Sequence, residues 1–233
     1  MSSIRIGGIE KFSIVDFPNR MAAVVFMQGC PWRCPFCHNT HLQDVNGQTN
    51  IVWYKFIDFL KQRKGILDAV VFSGGEPLVQ KGLKEAIMEV RDLGYEIGLH
   101  TGGYSPQHFM EVLPLTDWVG FDIKAPFEEK KYKEITGGAA DIEKVKESLN
   151  ILCDSGKSFE CRTTCDPRFL TIEDIYKIAD TLKTMGVKEY YLQKYRPIPD
   201  DKNTSEEQCL SLVENEQLND FLRNCFEIFD VRK

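Results

Sequence analysis

Short, continuous runs of apolar residues alternate with longer segments of helical periodicity along most of the chain. The runs at residues 22–27 and 69–72 are apolar at every position, as in strands that are covered on both faces of a parallel sheet. Further strands are predicted at residues 96–100, 118–123, 158–164 and 189–193. Amphipathic periodicity predicts helices at residues 52–62, 83–93, 142–152, 172–185 and 214–226. This repetition predicts a parallel α/β sheet with right-handed crossovers.

The length of the chain limits how such units can be arranged. About six units in 233 residues are too few for a closed eight-stranded barrel, which typically needs roughly 250 residues. An open six-stranded barrel and a doubly wound sheet remain, and in both the functional groups belong at the carboxyl ends of the strands. We expect one domain over residues 1–233, with a core at about 20–197 and a C-terminal loop and helix at 198–233. Residues 200–205 are predicted to form a polar loop.

Composition excludes several classes of protein. The 29 Lys+Arg and 35 Asp+Glu residues give a net charge of −6, which disfavours non-specific binding to nucleic acid. No apolar run approaches the roughly 18 residues of a membrane-spanning helix, and the N-terminus lacks the features of a secretory signal. These features predict a cytoplasmic protein with no nucleic-acid or membrane partner, in which the 8 cysteines stay reduced.

Three cysteines, Cys30, Cys34 and Cys37, follow the first predicted strand within one short loop. Three thiolates this close in sequence can converge on one inorganic centre. A structural zinc ion normally takes four ligands, and His38 or His41 would supply the fourth. A [4Fe–4S] cluster held by three cysteines would instead keep one iron open for a substrate or cofactor. Spacing alone leaves both kinds of site open.

A second motif, SGGEP at residues 73–77, follows the next predicted strand. Gly74 and Gly75 let the backbone approach a ligand closely, and Glu76 can accept a charge-assisted hydrogen bond. A tight turn from strand to helix explains the same glycines without any ligand. Because both motifs follow strands, we expect them at the same edge of the sheet.

The two motifs together resemble those of the radical S-adenosylmethionine superfamily. The cysteine spacing of the triad matches its cluster motif, with the aromatic Phe36 before the third cysteine, and residues 74–77 match its Gly-Gly-Glu-Pro motif. The resemblance implies an open (β/α)6 barrel similar to part of a TIM barrel, one [4Fe–4S] cluster bound by the three cysteines, and S-adenosylmethionine bound to the fourth iron. This implied fold agrees with the independent count of strands.

Other segments resemble a narrower group, the activases of glycyl radical enzymes. These are residues 13–18 (SIVDFP), 26–30 (FMQGC) and 37–39 (CHN). Three more segments are most similar to the activating protein of the anaerobic ribonucleoside-triphosphate reductase: residues 122–126 (DIKAP), 162–164 (RTT) and 192–197 (LQKYRP). Residues 39–68 contain no cysteine, which disfavours the activases that insert a ferredoxin module there.

The resemblance implies a reaction and two partners. One electron from an external donor such as flavodoxin or ferredoxin reduces the cluster, and reductive cleavage of S-adenosylmethionine yields methionine and a 5′-deoxyadenosyl radical. That radical takes a hydrogen atom from the Cα of a glycine in the partner enzyme. The alternatives are an activase for an enzyme of the pyruvate formate-lyase type, a radical enzyme acting on a small molecule or peptide, and a zinc-binding interaction module without catalysis.

The resemblance also implies contacts with S-adenosylmethionine for several residues. The backbone of Phe36 would border the adenine, Gly74 and Gly75 would allow close approach, and Glu76 would accept a hydrogen bond from the ammonium group. The simpler interpretation of Phe36 is packing within its loop.

Charged residues on two predicted strands are further candidates. Asp122 and Lys124 alternate with apolar neighbours and therefore share one face, where they contact the cofactor or form a structural ion pair. Arg162 lies on one face of its strand and is expected to meet the cofactor carboxylate. Gln193 and Arg196, at the end of the last predicted strand, are expected near the ligand or the partner.

One segment departs from the family pattern. Many activases have Asp-Thr-Asn-Gly after the third strand, and in the pyruvate formate-lyase relative the Asp helps to hold a monovalent cation. Here the segment is HTGG, which puts that cation in doubt and leaves His100 either as a cofactor contact or as a core imidazole.

The remaining cysteines match no second cluster motif and are predicted to pack in the core or lie there by chance: Cys153, Cys161, Cys165, Cys209 and Cys225.

Overall fold

A computed structural model describes residues 4–138, 140–197 and 203–233. Its eight strands form one sheet in the order in which they occur along the chain. The strands are β1 (Ile6–Ser13), β2 (Ala22–Met27), β3 (Ala69–Gly74), β4 (Glu96–Thr101), β5 (Trp118–Asp122), β6 (Ser158–Cys165), β7 (Glu189–Lys194) and β8 (Ile228–Arg232). Strands β2 to β8 are parallel, and β1 pairs antiparallel with β2. Sequential order without closure confirms the open, barrel-like α/β sheet and excludes the doubly wound alternative, in which the strand order reverses.

Eight α-helices connect and cover the strands within the described ranges. They are α1 (Trp53–Gln62), α2 (Leu83–Asp92), α3 (Pro106–Val112), α4 (Glu129–Thr136), α5 (Ile142–Asp154), α6 (Ile172–Thr184), α7 (Glu206–Val213) and α8 (Glu216–Cys225). The five predicted helices are α1, α2, α5, α6 and α8. Asp141 caps α5 by accepting from two backbone N–H groups, and Thr171 forms a capping box with Asp174 at α6. No described helix is both long enough and apolar enough to span a membrane.

The structure adds elements that the sequence pattern did not predict. Strand β1 contains two glycines and charged residues and pairs with β2 through register shifts, so it lacks the continuous apolar run of the central strands. The C-terminal part, predicted as a loop and one helix, also contains α7 and β8. Residues 200–202 of the predicted polar loop lie outside the described residues. The sheet therefore has two additional strands, one at each edge.

Apolar side chains cover both faces of the sheet, but unequally. The larger cluster lies between the sheet and the helices, and a smaller one lies on the concave face. There the connection between β1 and β2 folds back into the barrel, so that Phe17 stacks on Trp118 with ring centroids 5.4 Å apart and packs against Gly98. This apolar floor leaves the carboxyl ends of the strands for polar side chains.

Candidate active site

The carboxyl ends of the strands surround a cavity of about 380 Å³. Twelve of the candidate site residues line it: Cys30, Cys34, Phe36, Cys37, Gly74, Gly75, Glu76, His100, Asp122, Lys124, Arg162 and Gln193. They come from six consecutive parallel strands and the segments that follow them. The sequence motifs therefore meet in one place, as expected for a parallel barrel.

The loop that carries the three cysteines is closed at its base by backbone hydrogen bonds. The N–H of Gly29 donates to the carbonyl of Leu42 at 2.7 Å, and that of Cys30 donates to the carbonyl of Gln43 at 3.1 Å. Farther along, the N–H of Arg33 donates to the last carbonyl of α4 at 2.9 Å. The loop is thus anchored at both its base and its middle.

Burial strongly affects two of the three thiols, Cys30 and Cys34. Burial raises the pKa of Cys30 to about 12 and that of Cys34 to about 11, so binding of a metal centre there must release these protons. Across the described ranges, no three His, Cys, Asp or Glu side chains are grouped closely enough to hold a single metal ion. The three thiols line one cavity, and a closed zinc site would need a fourth protein ligand beside them.

The glycines of the SGGEP motif have a structural role of their own. Gly74 has a φ of +110°, and a Cβ atom there would lie 2.2 Å from the backbone nitrogen of Met27. A Cβ atom on Gly75 would lie 2.2 Å from the carbonyl oxygen of Gly29. Both glycines therefore allow the ends of β2 and β3 to approach closely, as the tight-turn interpretation predicts, and they also line the cavity.

Glu76 is buried and accepts three hydrogen bonds. Its Oε1 accepts from the Thr101 hydroxyl at 2.6 Å and from the Leu78 N–H at 3.1 Å, and its Oε2 accepts from the Gly102 N–H at 2.9 Å. Burial raises the pKa of the Glu76 carboxyl, and these hydrogen bonds oppose the rise. A carboxylate offers about four acceptor positions, so roughly one remains available on Oε2.

Asp122 bridges two cations at the end of β5. Its Oδ1 accepts from Arg162 Nε at 2.8 Å, and its Oδ2 accepts from Lys124 Nζ at 2.9 Å. Burial works to raise the pKa of the Asp122 carboxyl, but the charges of Arg162 and Lys124 outweigh it and hold that pKa well below its ordinary value. For Lys124 the two effects have the opposite signs. Burial lowers its pKa, but the nearby Asp122 carboxylate raises it by more, so the pKa of Lys124 lies above its ordinary value. The group carries a net positive charge.

His100 joins this group from β4. Its Nε2 lies 2.9 Å from the carbonyl oxygen of Asp16 and 3.3 Å from Arg162 NH1, and its Nδ1 lies 3.3 Å from the Ser73 hydroxyl. We assign the proton to Nε2, which then donates to Asp16, while Nδ1 accepts from Ser73. Burial and the nearby Arg162 charge lower the pKa of His100 to about 3, so the ring is neutral. It is thus a hydrogen-bonded core imidazole that also lines the cavity.

The cavity is also lined by His38, the candidate fourth ligand of the zinc alternative, and by several residues that were not candidates: Asp16, Phe26, Trp32, Asn39, Gln43, Ser73, Thr101, Gly102 and Thr164. Asp16 and Ser73 belong to segments whose motifs were recognised, so their sequence signal was present. Gln43 has no such signal, because only the folding back of its loop brings it to the cavity. Arg196 lies instead on an adjoining groove, with its NH2 donating to the Lys233 carbonyl at 2.7 Å.

The other cysteines lie away from this cavity. Cys161, Cys165 and Cys209 are buried in the core, and Cys153 and Cys225 are partly buried against it. All five are free thiols. Their placement agrees with the prediction of packing.

Comparison with known proteins places this site in a family context. Residues 24–181 match the model of the Radical SAM superfamily. A Methanocaldococcus jannaschii protein named as a glycyl-radical enzyme activating enzyme is 36% identical over 204 residues, which cover 82% of this chain and 80% of that protein. The pyruvate formate-lyase-activating enzyme of Clostridium pasteurianum is 35% identical over 159 residues, covering 63% of this chain and 65% of that enzyme.

A solved structure supports the same fold. Streptococcus suis SuiB bound to S-adenosylmethionine superposes with a TM-score of 0.66 over 88% of this chain and 48% of that one. At 14% sequence identity, the similarity shows the fold alone.

Proposed function

The chain belongs to the radical SAM superfamily, and we propose that it installs a glycyl radical on a partner enzyme, specifically the anaerobic ribonucleoside-triphosphate reductase. Its cofactors are a [4Fe–4S] cluster and S-adenosylmethionine. The observation that carries the proposal is the cavity itself, in which three thiols of one loop lie with charged side chains from the ends of β3, β5 and β6.

The residues present fit these two cofactors. The thiols of Cys30, Cys34 and Cys37 would bind three irons and leave the fourth accessible from the cavity. The remaining acceptor position of Glu76 suits an ammonium group, and the net positive group around Asp122 suits a carboxylate. The cavity volume of about 380 Å³ is within the range of small-molecule sites.

The chain's own residues bind the two cofactors and orient them. When bound in the cavity, the cluster and S-adenosylmethionine would supply the radical chemistry that removes a hydrogen atom from the Cα of a partner glycine. Arg162 and Lys124 are held by Asp122, so each keeps a fixed position from which to donate to the cofactor. Phe36, which is buried within the cysteine loop, and Gln193 at the end of β7 complete the wall. The neutral His100 ring lies beside the Arg162 guanidinium, with Nε2 3.3 Å from NH1.

A groove beside the cavity supports a macromolecular substrate. It has a volume of about 640 Å³ and lies between residues 14–18 and strands β7 and β8. Asp16, His38, Arg162, Thr164 and Gln193 line both the groove and the cavity, so the two are continuous. A glycine in an extended segment of a partner could enter the cavity from this side.

Two sets of sequence similarities bear on the choice of partner. The segments at residues 122–126, 162–164 and 192–197 resemble the reductase activase, which favours the anaerobic reductase. The identity with the Clostridium pasteurianum enzyme supports a second candidate, an enzyme of the pyruvate formate-lyase type. Either reaction needs one electron from an external donor, and a flavodoxin or a ferredoxin can supply it.

One experiment tests the chemistry and the partner together. The protein is reconstituted anaerobically with iron and sulfide, reduced with dithionite, and assayed for 5′-deoxyadenosine. It is then incubated with an anaerobic ribonucleotide reductase or with pyruvate formate-lyase, and the amount of glycyl radical is quantified by electron paramagnetic resonance. We expect a radical on the reductase; a radical on the lyase alone would contradict the choice of partner, and none on either would contradict activation.

A matched pair of cysteine variants tests the cluster ligands. Cys34→Ala should lose bound iron and 5′-deoxyadenosine formation, because it removes one of the three thiols. Cys209→Ala removes a buried thiol outside the cavity and should keep both. Wild-type iron content in Cys34→Ala would refute the assignment of the triad.

A further inference from the structure

The indole N–H of Trp32, in the loop that carries the three cysteines, is a buried hydrogen-bond donor. The side chain is 2% exposed and lines the cavity. Its Nε1 atom is buried and has no acceptor among the residues that the structure describes. Leaving a buried donor unpaired is unfavourable, and native folds pair nearly all of them. The indole N–H therefore needs an acceptor that the described part of the chain does not supply.

The six-membered end of the indole is fixed against Gly102. A Cβ atom on Gly102 would lie 2.1 Å from Cζ3 and 2.4 Å from Cη2 of Trp32. Nε1 belongs to the five-membered ring and lies at the opposite end of the indole. In the Asp-Thr-Asn-Gly pattern of many activases, Asn stands where this chain has Gly102, and its Cβ atom would clash with this ring. The Tyr104 ring packs edge-on against the indole, with centroids 6.4 Å apart.

The backbone around Trp32 is held as firmly as its ring. Arg33 NH1 donates to the carbonyl oxygens of Cys30 and Trp32, at 2.7 and 2.9 Å. The Arg33 N–H donates to the carbonyl of Thr136 at 2.9 Å, and Pro31 fixes its own φ. Because backbone and ring are both held, Trp32 cannot readily turn its N–H toward solvent.

Trp32 also lies beside one of the three thiols. Burial raises the pKa of the Cys30 thiol, and the backbone N–H of Trp32 opposes that rise. Cys30, Cys34 and Cys37 line the same cavity as the indole. A [4Fe–4S] cluster held by these thiols brings inorganic sulfides into that cavity, and the sulfurs of such clusters accept hydrogen bonds.

S-adenosylmethionine, the other cofactor of this cavity, is a less suitable acceptor. Its ammonium group, which is itself a donor, suits the remaining position on Glu76. The Gly102 N–H donates to Glu76 Oε2 at 2.9 Å, so the six-membered end of the indole is the end that packs on this side. The N–H of Trp32 lies at the other end of the ring. The position of the donor therefore favours a sulfur of the cluster.

From these contacts we propose that the indole N–H of Trp32 donates a hydrogen bond to a sulfur of the cluster and thereby makes the cluster easier to reduce. The inference rests on the cluster of the proposed function and is independent of the partner enzyme. One electron from the external donor adds one negative charge to the cluster, and no bond forms or breaks in this step. Part of that charge falls on the sulfurs, so the hydrogen bond is stronger in the reduced state.

The effect of Trp32 is tested by the midpoint potential of the cluster in the reconstituted enzyme without S-adenosylmethionine. A dithionite titration with redox mediators is followed by electron paramagnetic resonance. Trp32→Phe keeps an aromatic ring but removes the donor, and its cluster should be about tenfold harder to reduce, which lowers the midpoint by about 59 mV. The control is Trp53→Phe, because the Trp53 N–H donates to Glu89 at 2.7 Å away from the cavity. This control should keep the wild-type midpoint at equal iron content.

The sign of the shift separates a hydrogen bond from a change in packing. The smaller ring in Trp32→Phe leaves room for water, and greater exposure to solvent stabilises the more negative, reduced cluster and raises the midpoint. Loss of a hydrogen bond to sulfur lowers it. A midpoint that is unchanged or raised in Trp32→Phe would overturn the inference.

A second measurement detects the contact in the wild type itself. The indole nitrogens of the three tryptophans are labelled with ¹⁵N, and the reduced cluster is examined by pulsed electron paramagnetic resonance. A coupling to ¹⁵N is expected in the wild type and in Trp53→Phe and should be lost in Trp32→Phe. A wild type without this coupling would overturn the inference, even where Trp32→Phe binds no cluster.

The outcomes also separate this inference from the proposed function. A wild-type protein that binds no cluster after reconstitution would overturn both. A wild type that shows the ¹⁵N coupling but installs no radical on either candidate partner would contradict the proposed function and support the role of Trp32.

Discussion

Gly75 sets the distance between the ends of β2 and β3, where the two cofactor motifs meet. A methyl group there would lie 2.2 Å from the Gly29 carbonyl oxygen, and backbone atoms cannot move aside as a flexible side chain can. We therefore expect Gly75→Ala to lower the free energy of unfolding by about 1–3 kcal/mol. Gly8→Ala is the control, because its methyl group would meet the Phe26 ring at an ordinary 3.6 Å. Urea unfolding followed by circular dichroism measures both; equal midpoints would contradict the steric argument.

His100 makes stability depend on pH in a defined direction. Its pKa is about 3 in the folded protein and about 6.5 when unfolded, so between these values only the unfolded chain takes up the proton. Its contribution is complete above the unfolded value and is lost as the pH falls. The free energy of unfolding should be about 2 kcal/mol smaller at pH 5 than at pH 8 from this residue. His100→Gln lacks the ionisable ring, keeps Arg162 and Asp122, and should show a correspondingly weaker dependence in urea titrations; parallel curves would refute this.

At the scale of elements, the central strands of the sheet were predicted from the sequence and the edge strands were not. Strands β2 and β3 were the most predictable, because both of their faces are covered, which requires apolar residues in continuous runs. Strand β8 (Ile228–Arg232) was not predicted, because it is short, lies at the edge and carries polar residues at alternate positions. Helix α4 was missed for a related reason, since its sequence EKKYKEIT has few apolar residues from which to recognise a period.

An ion pair between the partly exposed Arg232 and the buried Glu160 helps to attach β8 to the sheet. Arg232 donates to both carboxylate oxygens of Glu160, at 2.5 and 2.7 Å, and its guanidinium stacks over the Tyr191 ring at 3.9 Å. Glu160 is fully buried, so Arg232→Ala would leave its charge without a partner. We expect a loss of about 3 kcal/mol in the free energy of unfolding. The double variant Glu160→Met, Arg232→Met removes both charges and should be nearly as stable as the wild type; an equal loss in both would exclude the ion pair as the cause.

At the scale of the molecule, the position of the site could be predicted from the sequence, but the contacts between residues far apart in the chain could not. Each cofactor motif follows a strand, and parallel strands end at one edge, so the cavity could be inferred from order along the chain. The contact of His100 with Asp16 joins residues 84 positions apart and depends on the β1–β2 connection folding into the barrel. The pairing of Glu160 with Arg232 depends in the same way on β8 joining the sheet. Neither contact leaves a local pattern in the sequence.

The C-terminal elements belong to the same core as the barrel, which predicts one cooperative unfolding transition. Leu212, Leu218 and Leu222 of α7 and α8 are buried in the main cluster, and Phe226 packs on Tyr190 of β7 with ring centroids 5.1 Å apart. Removing residues 203–233 would expose several such side chains, each worth about 1.5–3 kcal/mol, a total comparable with the stability of a whole domain. Unfolding of the full chain should therefore give coincident transitions by far-ultraviolet circular dichroism and tryptophan fluorescence. The truncated chain should lack a cooperative transition, and an unchanged midpoint after truncation would show instead that residues up to 197 form an independent core.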